Sequence, residues 1–144
     1  MLKIASVLGL IVMMAALVGL YEIGVLITPQ PIAVTLQVLA VMLMIWARAT
    51  FGIRSFHASA NPTAGGLVTT GPYHYIRHPI YAAGCLFGWG AVAAHWSVVG
   101  ALFGVALIAG GLVRIICEER LLTHEYPAYL AYSKATKRML PYVF

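Results

Sequence analysis

Charge is what this chain has least of. Of 144 residues only 9% are charged while 62% are hydrophobic, and four acidic side chains face nine Lys and Arg. A soluble domain has about a quarter of its residues charged. A chain this short has no interior large enough to hide so much apolar surface, so a water-soluble bundle is excluded and lipid is the expected solvent. Cysteine is nearly as scarce: Cys85 and Cys117 both fall in apolar runs without metal-ligand spacing, and they read as packing residues. No Gly-x-Gly-x-x-Gly follows a strand pattern and no Walker loop is present, which removes the soluble nucleotide-binding folds. The net charge of +5 does not imply a nucleic-acid partner, because the cations flank apolar runs instead of forming a stripe.

The apolar runs themselves predict an all-α integral membrane protein with about four transmembrane helices. They cover roughly 4–27, 32–47, 79–96 and 97–116. The first resembles a secretory signal in having Lys3 before it, but it continues for about 24 residues, past the 7–15 of a signal's apolar core, and reads as a retained helix. At 1.5 Å per residue these runs cover about 24–36 Å, enough for a bilayer core with some tilt or thinning. Lys3, Arg48, Arg54, Arg77, Arg114, Arg120, Lys134, Lys137 and Arg138 then all fall on one side, and the turns at 28–31 and 94–97 carry no Lys or Arg. The positive-inside rule places both termini in the cytoplasm, at the inner membrane in a bacterial cell. Gly84-x-x-x-Gly88 and Gly100-x-x-x-Gly104 offer small faces that predict a tight hairpin of spans three and four. Similar faces on span one permit homo-oligomers. Beyond span four, 118–122 continues the helix into the cytosol. A final short helix is expected to start around Pro127 and stop at Pro141.

Two polar blocks interrupt this pattern, 67–81 and 114–132. His78-Pro79 opens span three, since proline suits the first helical position, and Tyr81 follows on nearly the same face. Residues of these types also serve as interfacial anchors. Arg114 and Glu118, four apart, share a helix face; they either pair with each other or present opposite charges to a zwitterion. Ionisable groups near membrane depth point to function. Glu119 and Arg120 point elsewhere around the helix, toward solvent. Glu22, near the outer end of span one, is expected to be structural, with Gln37 or Tyr21 as partner.

Together the motifs Leu67-Val68-Thr69-x-Gly71-x-Tyr73, Arg77-His78-Pro79-x-Tyr81-x-x-Gly84, Arg114-x-x-x-Glu118-Glu119-x-x-Leu122 and Tyr129-x-x-Tyr132 resemble the isoprenylcysteine carboxyl methyltransferase family. That family belongs to a wider group of membrane methyltransferases that includes phospholipid N-methyltransferases. The resemblance covers roughly 65–141. It implies one membrane methyltransferase domain over 1–144, made of an N-terminal helix pair (1–48) and a cofactor-binding core (49–144). It implies S-adenosylmethionine as cofactor, held by Leu67, Val68, Tyr73, His78, Pro79, Ile80, Tyr81 and Glu118, with Arg114 orienting the acceptor's carboxylate and no metal. Where the family has Phe-Gly before its paired tyrosines, this chain has Tyr126-Pro127 and one residue fewer, so Tyr129 and Tyr132 are not carried over as ligands.

The implied activity is methyl transfer to a lipophilic small-molecule or lipid acceptor, a carboxylate by preference, which is ionised at neutral pH and needs no general base. An amine or phenol acceptor needs one, with His78 or Glu119 as candidates. Two other readings stay open: a nicotinamide-dependent membrane reductase of the sterol-reductase type, which has a similar Arg-His-Pro-x-Tyr element, and a non-catalytic membrane scaffold subunit.

Overall fold

The computed structural model describes residues 1–52 and 66–144; Arg54, one of the charges used above, lies outside the described residues. The described chain is helical: α1 (Leu2–Glu22), α2 (Pro31–Phe51), a 3-10 turn (Gly71–His74), α3 (Pro79–Ala94), α4 (Val98–Glu125) and α5 (Tyr129–Ala135). The one β-type pairing among the described residues is an isolated parallel bridge, Ile76 to Lys137.

Helix ends follow local chemistry. α1 stops five residues short of the expected position because Gly24 takes φ 72°, and the amides of Val25 and Leu26 fold back onto the Leu20 carbonyl, each at 3.0 Å. A left-handed glycine of this kind caps orphan helix carbonyls. α2 starts with Pro31 at its first position and runs on to Phe51, ending at Gly52 with φ 73°. Its last turn therefore carries Arg48, a favourable place for a cation. Pro79 opens α3 as expected. Ser97 caps α4, its hydroxyl accepting from Gly100 N at 3.0 Å. α4 then runs unbroken for 28 residues, about 42 Å, which carries Arg114, Glu118 and Glu119 to its far end.

α5 departs most from expectation. It starts at Tyr129, beyond Pro127, and ends at Ala135, well before Pro141. The chain leaves the helix because the Lys137 and Arg138 carbonyls accept from Arg77 N (2.7 Å) and His78 N (2.9 Å), so this segment is extended against the polar loop.

α1, α2 and α4 are long and apolar enough to cross a membrane; α3, with 16 residues, is apolar but shorter. Ile4, Leu8 and Ile11 on α1, Ile45 and Trp46 on α2, and Leu102 and Val105 on α4 are exposed, an apolar exterior compatible with an integral membrane protein. α3 and α4 are consecutive and touch, with Trp89 Nε1 donating to the Gly104 carbonyl at 3.0 Å. The more extensive partner of α4 is nevertheless α1, and that of α3 is α2. The glycines explain the first pairing. A Cβ on Gly110 would meet the Gly9 carbonyl at 2.6 Å, and one on Gly9 the Gly110 carbonyl at 2.8 Å, so α1 and α4 touch backbone to backbone. Gly84 faces Met13 of α1 and contributes to the bundle, not to a three–four seam. Glu22 is exposed at the end of α1, and Gln37 donates to the Leu26 carbonyl at 2.7 Å.

Candidate functional site

The loop before α3 and the C-terminal end of α4 meet. His78, the N-cap residue of α3, is 5% exposed. Its Nδ1 lies 3.6 Å from Glu118 Oε2 and its Nε2 lies 3.3 Å from Glu119 Oε1. Burial pushes the His78 pKa down, but hydrogen bonds to Glu118 and Glu119 and the charges of both carboxylates outweigh it, and the imidazole is held above its usual range. Three residues on, the Tyr81 ring stacks on His78 with centroids 5.8 Å apart and a 29° interplanar angle.

Tyr81 is the centre of the first cluster. Its hydroxyl donates to Glu118 Oε1 and accepts from Arg114 Nε at 2.8 Å. The Arg114 guanidinium lies over the Tyr81 ring, 5.4 Å from its centroid. Arg114 also donates to the Ser6 carbonyl of α1 at 3.1 Å, and its Nη2 stands 3.6 Å from Glu118 Oε1. Arg114 and Glu118 thus face the same space and pair only loosely. The Glu118 side chain is 24% exposed, the more open of the two glutamates.

Glu119 corrects the expectation that it faces solvent. Its side chain is only 14% exposed. Oε1 accepts from Arg77 Nε and faces Arg77 Nη2, both at 2.9 Å. Oε2 accepts from Arg138 Nε at 3.1 Å and Nη2 at 3.0 Å. Arg77, itself 9% exposed, continues to the carbonyls of Ser133 (2.8 Å) and Thr136. These charge-assisted bonds tie three segments, the loop, α4 and the chain after α5, to one carboxylate.

Tyr73 is buried in the 3-10 turn, its ring 5.4 Å from Phe51 of α2. Its carbonyl accepts from the Tyr132 hydroxyl at 2.6 Å, which makes Tyr132 a tie between α5 and the loop. Burial first, then the Glu118 charge, raises the Tyr73 pKa well above the ordinary phenol range. Pro79 is buried and Ile80 half-buried at the start of α3. Leu67 and Val68 are half-buried in the non-helical approach to the turn, and they add no hydrogen bond or ion pair to the network among the described residues.

The structure therefore brings Tyr73, His78, Tyr81, Arg114 and Glu118 into one region. Sequence reasoning missed Glu119, Arg77, Arg138 and the Ser6 carbonyl as its supports. Arg77 stands in the motif and is recognisable there. Arg138 looks like any other basic tail residue, and nothing in the sequence marks a main-chain acceptor in α1.

A family model described as phospholipid methyltransferase matches residues 30–128, from the start of α2 to the residue before α5. The cobalt-zinc-cadmium resistance protein CzcN of Cupriavidus metallidurans is 33% identical over 78 residues, which is 52% of this chain and 35% of that protein. The chain thus spans about a third of the length of this curated relative. No solved structure matches.

Proposed function

The chain belongs to the phospholipid methyltransferase family, and from that premise we propose that it transfers a methyl group from S-adenosylmethionine to a lipophilic acceptor at the cytosolic face of the membrane, a carboxylate by preference. The observation that carries this reading is the division of roles between adjacent glutamates. Glu119 is saturated by Arg77 and Arg138. Glu118 is more exposed, and among the described residues its Oε2 has only the 3.6 Å approach of His78, which leaves it capacity to receive an ammonium.

The residues present fit the donor. Glu118 would hold its ammonium, and Tyr73 and the 78–81 stretch would enclose the remainder. When bound, the donor supplies a sulfonium-activated methyl carbon. The chain's own residues then orient and desolvate. Tyr81 fixes both Glu118 and Arg114 through one hydroxyl. The 3.6 Å separation of Arg114 from Glu118 is the contact that yields when Arg114 turns to an acceptor carboxylate, for which a guanidinium fork is well shaped. Holding nucleophile and methyl in line is the main source of rate.

Both base candidates are already committed. Glu119 is bound to two guanidiniums, and the His78 ring lies between two carboxylates that raise its pKa. An acceptor that is ionised beforehand suits such a site, which favours a carboxylate over an amine. The apolar helices would hold the acceptor's tail in the bilayer while its head reaches the cluster.

Calorimetry on the detergent-purified chain tests this. Heat on adding S-adenosylmethionine and none on adding NADPH is expected. Glu118→Ala is expected to weaken donor affinity roughly 10- to 100-fold, the value of a charge-assisted bond. Binding of NADPH alone, or unchanged donor affinity in Glu118→Ala, contradicts the assignment.

A further inference from the structure

A concavity among the described residues shares no residue with the Glu118 cluster. It has a volume of about 240 Å³ and is lined by His74, Tyr75, Ala135, Lys137, Pro141 and Tyr142. Its walls are tied together: Lys137 N donates to the Tyr75 carbonyl at 3.4 Å, and Arg77 N donates to the Lys137 carbonyl at 2.7 Å. The His74 and Tyr75 rings meet edge-on, 5.1 Å between centroids. Tyr142 is the one described non-glycine residue with positive φ, at 65°. Bulky residues avoid that region, yet here a turn closed by Met139 N and Leu140 N on the Phe144 carbonyl (2.7 and 2.8 Å) holds it.

Three observations say what this cavity faces. Its wall at Lys137 bridges to Ile76, three residues before the apolar α3 begins, so it lies where the chain enters the bilayer. The flanking side chains are apolar and exposed, with Tyr75 at 52%, Leu140 at 56%, Tyr142 at 88% and Val143 at 74%. Tyrosine beside aliphatic groups is the composition of the headgroup layer. The ionisable lining is basic, Lys137 with His74, and none of the chain's four acidic residues lines it. Lys134 stands exposed close by in sequence.

We propose that this cavity binds the phosphate headgroup of an anionic phospholipid of the cytosolic leaflet, separately from the methyl acceptor. Lys137 and His74 meet the phosphate, and Tyr75 and Tyr142 lie along the glycerol and upper acyl region. A basic residue at such a surface strengthens anionic-lipid binding about fivefold.

The full chain in uncharged detergent is titrated calorimetrically with short-chain phosphatidylglycerol and, separately, short-chain phosphatidylcholine, with no methyl donor present. Failure of the methyltransferase reading therefore leaves this result untouched. The anionic lipid is expected to bind and the zwitterionic lipid to bind at least about fivefold more weakly. Lys137→Glu is expected to lower phosphatidylglycerol affinity roughly tenfold or more. Arg120→Glu, an equal charge change at an exposed site of α4, is expected to lower it about twofold at most, as a screened distant charge does. Ala135→Trp fills the cavity without changing charge and is expected to abolish binding with helicity intact by circular dichroism. Equal binding of the two lipids, equal losses in Lys137→Glu and Arg120→Glu, or retained binding in Ala135→Trp overturns the proposal. So does displacement of the lipid by millimolar inorganic phosphate, which would identify a free-anion site instead.

Discussion

Replacing Glu119 by Gln removes one charge and leaves the side chain's shape almost unchanged. In the native arrangement its two oxygens meet Arg77 at 2.9 Å, Arg138 at 3.0 and 3.1 Å, and His78 at 3.3 Å. Breaking a largely buried pair costs about 3–5 kcal/mol, because the partner is left without compensation. Arg77, at 9% exposure, is in that position; Arg138, at 39%, is not, and its exposed pair is worth at most about 1 kcal/mol. The amide oxygen still accepts one of the Arg77 bonds, so a net loss of about 2–4 kcal/mol is expected. For a chain of this size that lowers the melting temperature on the order of 10 °C. The assay is thermal unfolding in detergent of Glu119→Gln beside Arg77→Gln, Arg138→Gln and Glu125→Gln, the last a carboxylate at the exposed end of α4. The first two are expected to fall together, Arg138→Gln by much less, and Glu125→Gln by about 1 °C or less, as surface substitutions do. A Glu119→Gln melting curve that overlays that of Glu125→Gln would refute the clasp.

The remaining predictions concern pH and packing. The folded-state pKa of His78 is raised, so its contribution is complete below the unfolded value of about 6.5 and is lost as pH rises through the folded value. The melting temperature is expected to decline over that alkaline range in the wild type, and to be flatter in His78→Gln; equal slopes would contradict the assignment. Gly110→Ala places a Cβ 2.6 Å from the Gly9 carbonyl; it is expected to cost about 1–3 kcal/mol through overpacking, whereas Gly24→Asn, at an open left-handed position, is expected to cost less than about 1 kcal/mol. Indistinguishable melting temperatures for these two would refute backbone contact between α1 and α4.

The parts of the fold legible in the sequence are those that composition and proline decide. Apolar runs mark α1 to α4, and Pro79 stands at its expected first position, while Pro31, read as part of a turn, opens α2 one residue before the expected start. The helix ends are less legible because they depend on backbone conformation: Gly24 and Gly52 each stop a helix with a positive φ, and a lone glycine in an apolar run does not advertise that. The pairing of helices is also obscured. Of the Gly-x-x-x-Gly patterns in consecutive spans, Gly88 lies against Leu107 of α4 and Gly104 against Trp89 of α3, yet Gly9 and Gly110 make the closest backbone approach. Helix α5 escapes a local reading because the extended segment after it fixes where it ends. Residues 137 and 138 satisfy the Arg77 and His78 amides, a long-range demand that no local propensity encodes.

Glu119 is the most instructive miss, since it sits beside Glu118, whose shared face with Arg114 the spacing does reveal. Neighbouring positions on a helix are turned by about 100°, so one face toward a ligand leaves the next residue looking sideways. On an isolated helix, sideways means solvent, and helical geometry alone therefore puts Glu119 there. Here the sideways direction is filled by the loop carrying Arg77 and the extended segment carrying Arg138, both of which arrive from elsewhere in the chain. The two cations could converge there only because a carboxylate neutralises them, and without it two guanidiniums would crowd one small region. The adjacent glutamates are therefore not redundant. One holds the loop and tail segments in place with its charge consumed, while the other, with a side chain 24% exposed, stands beside a tyrosine, an arginine and a histidine.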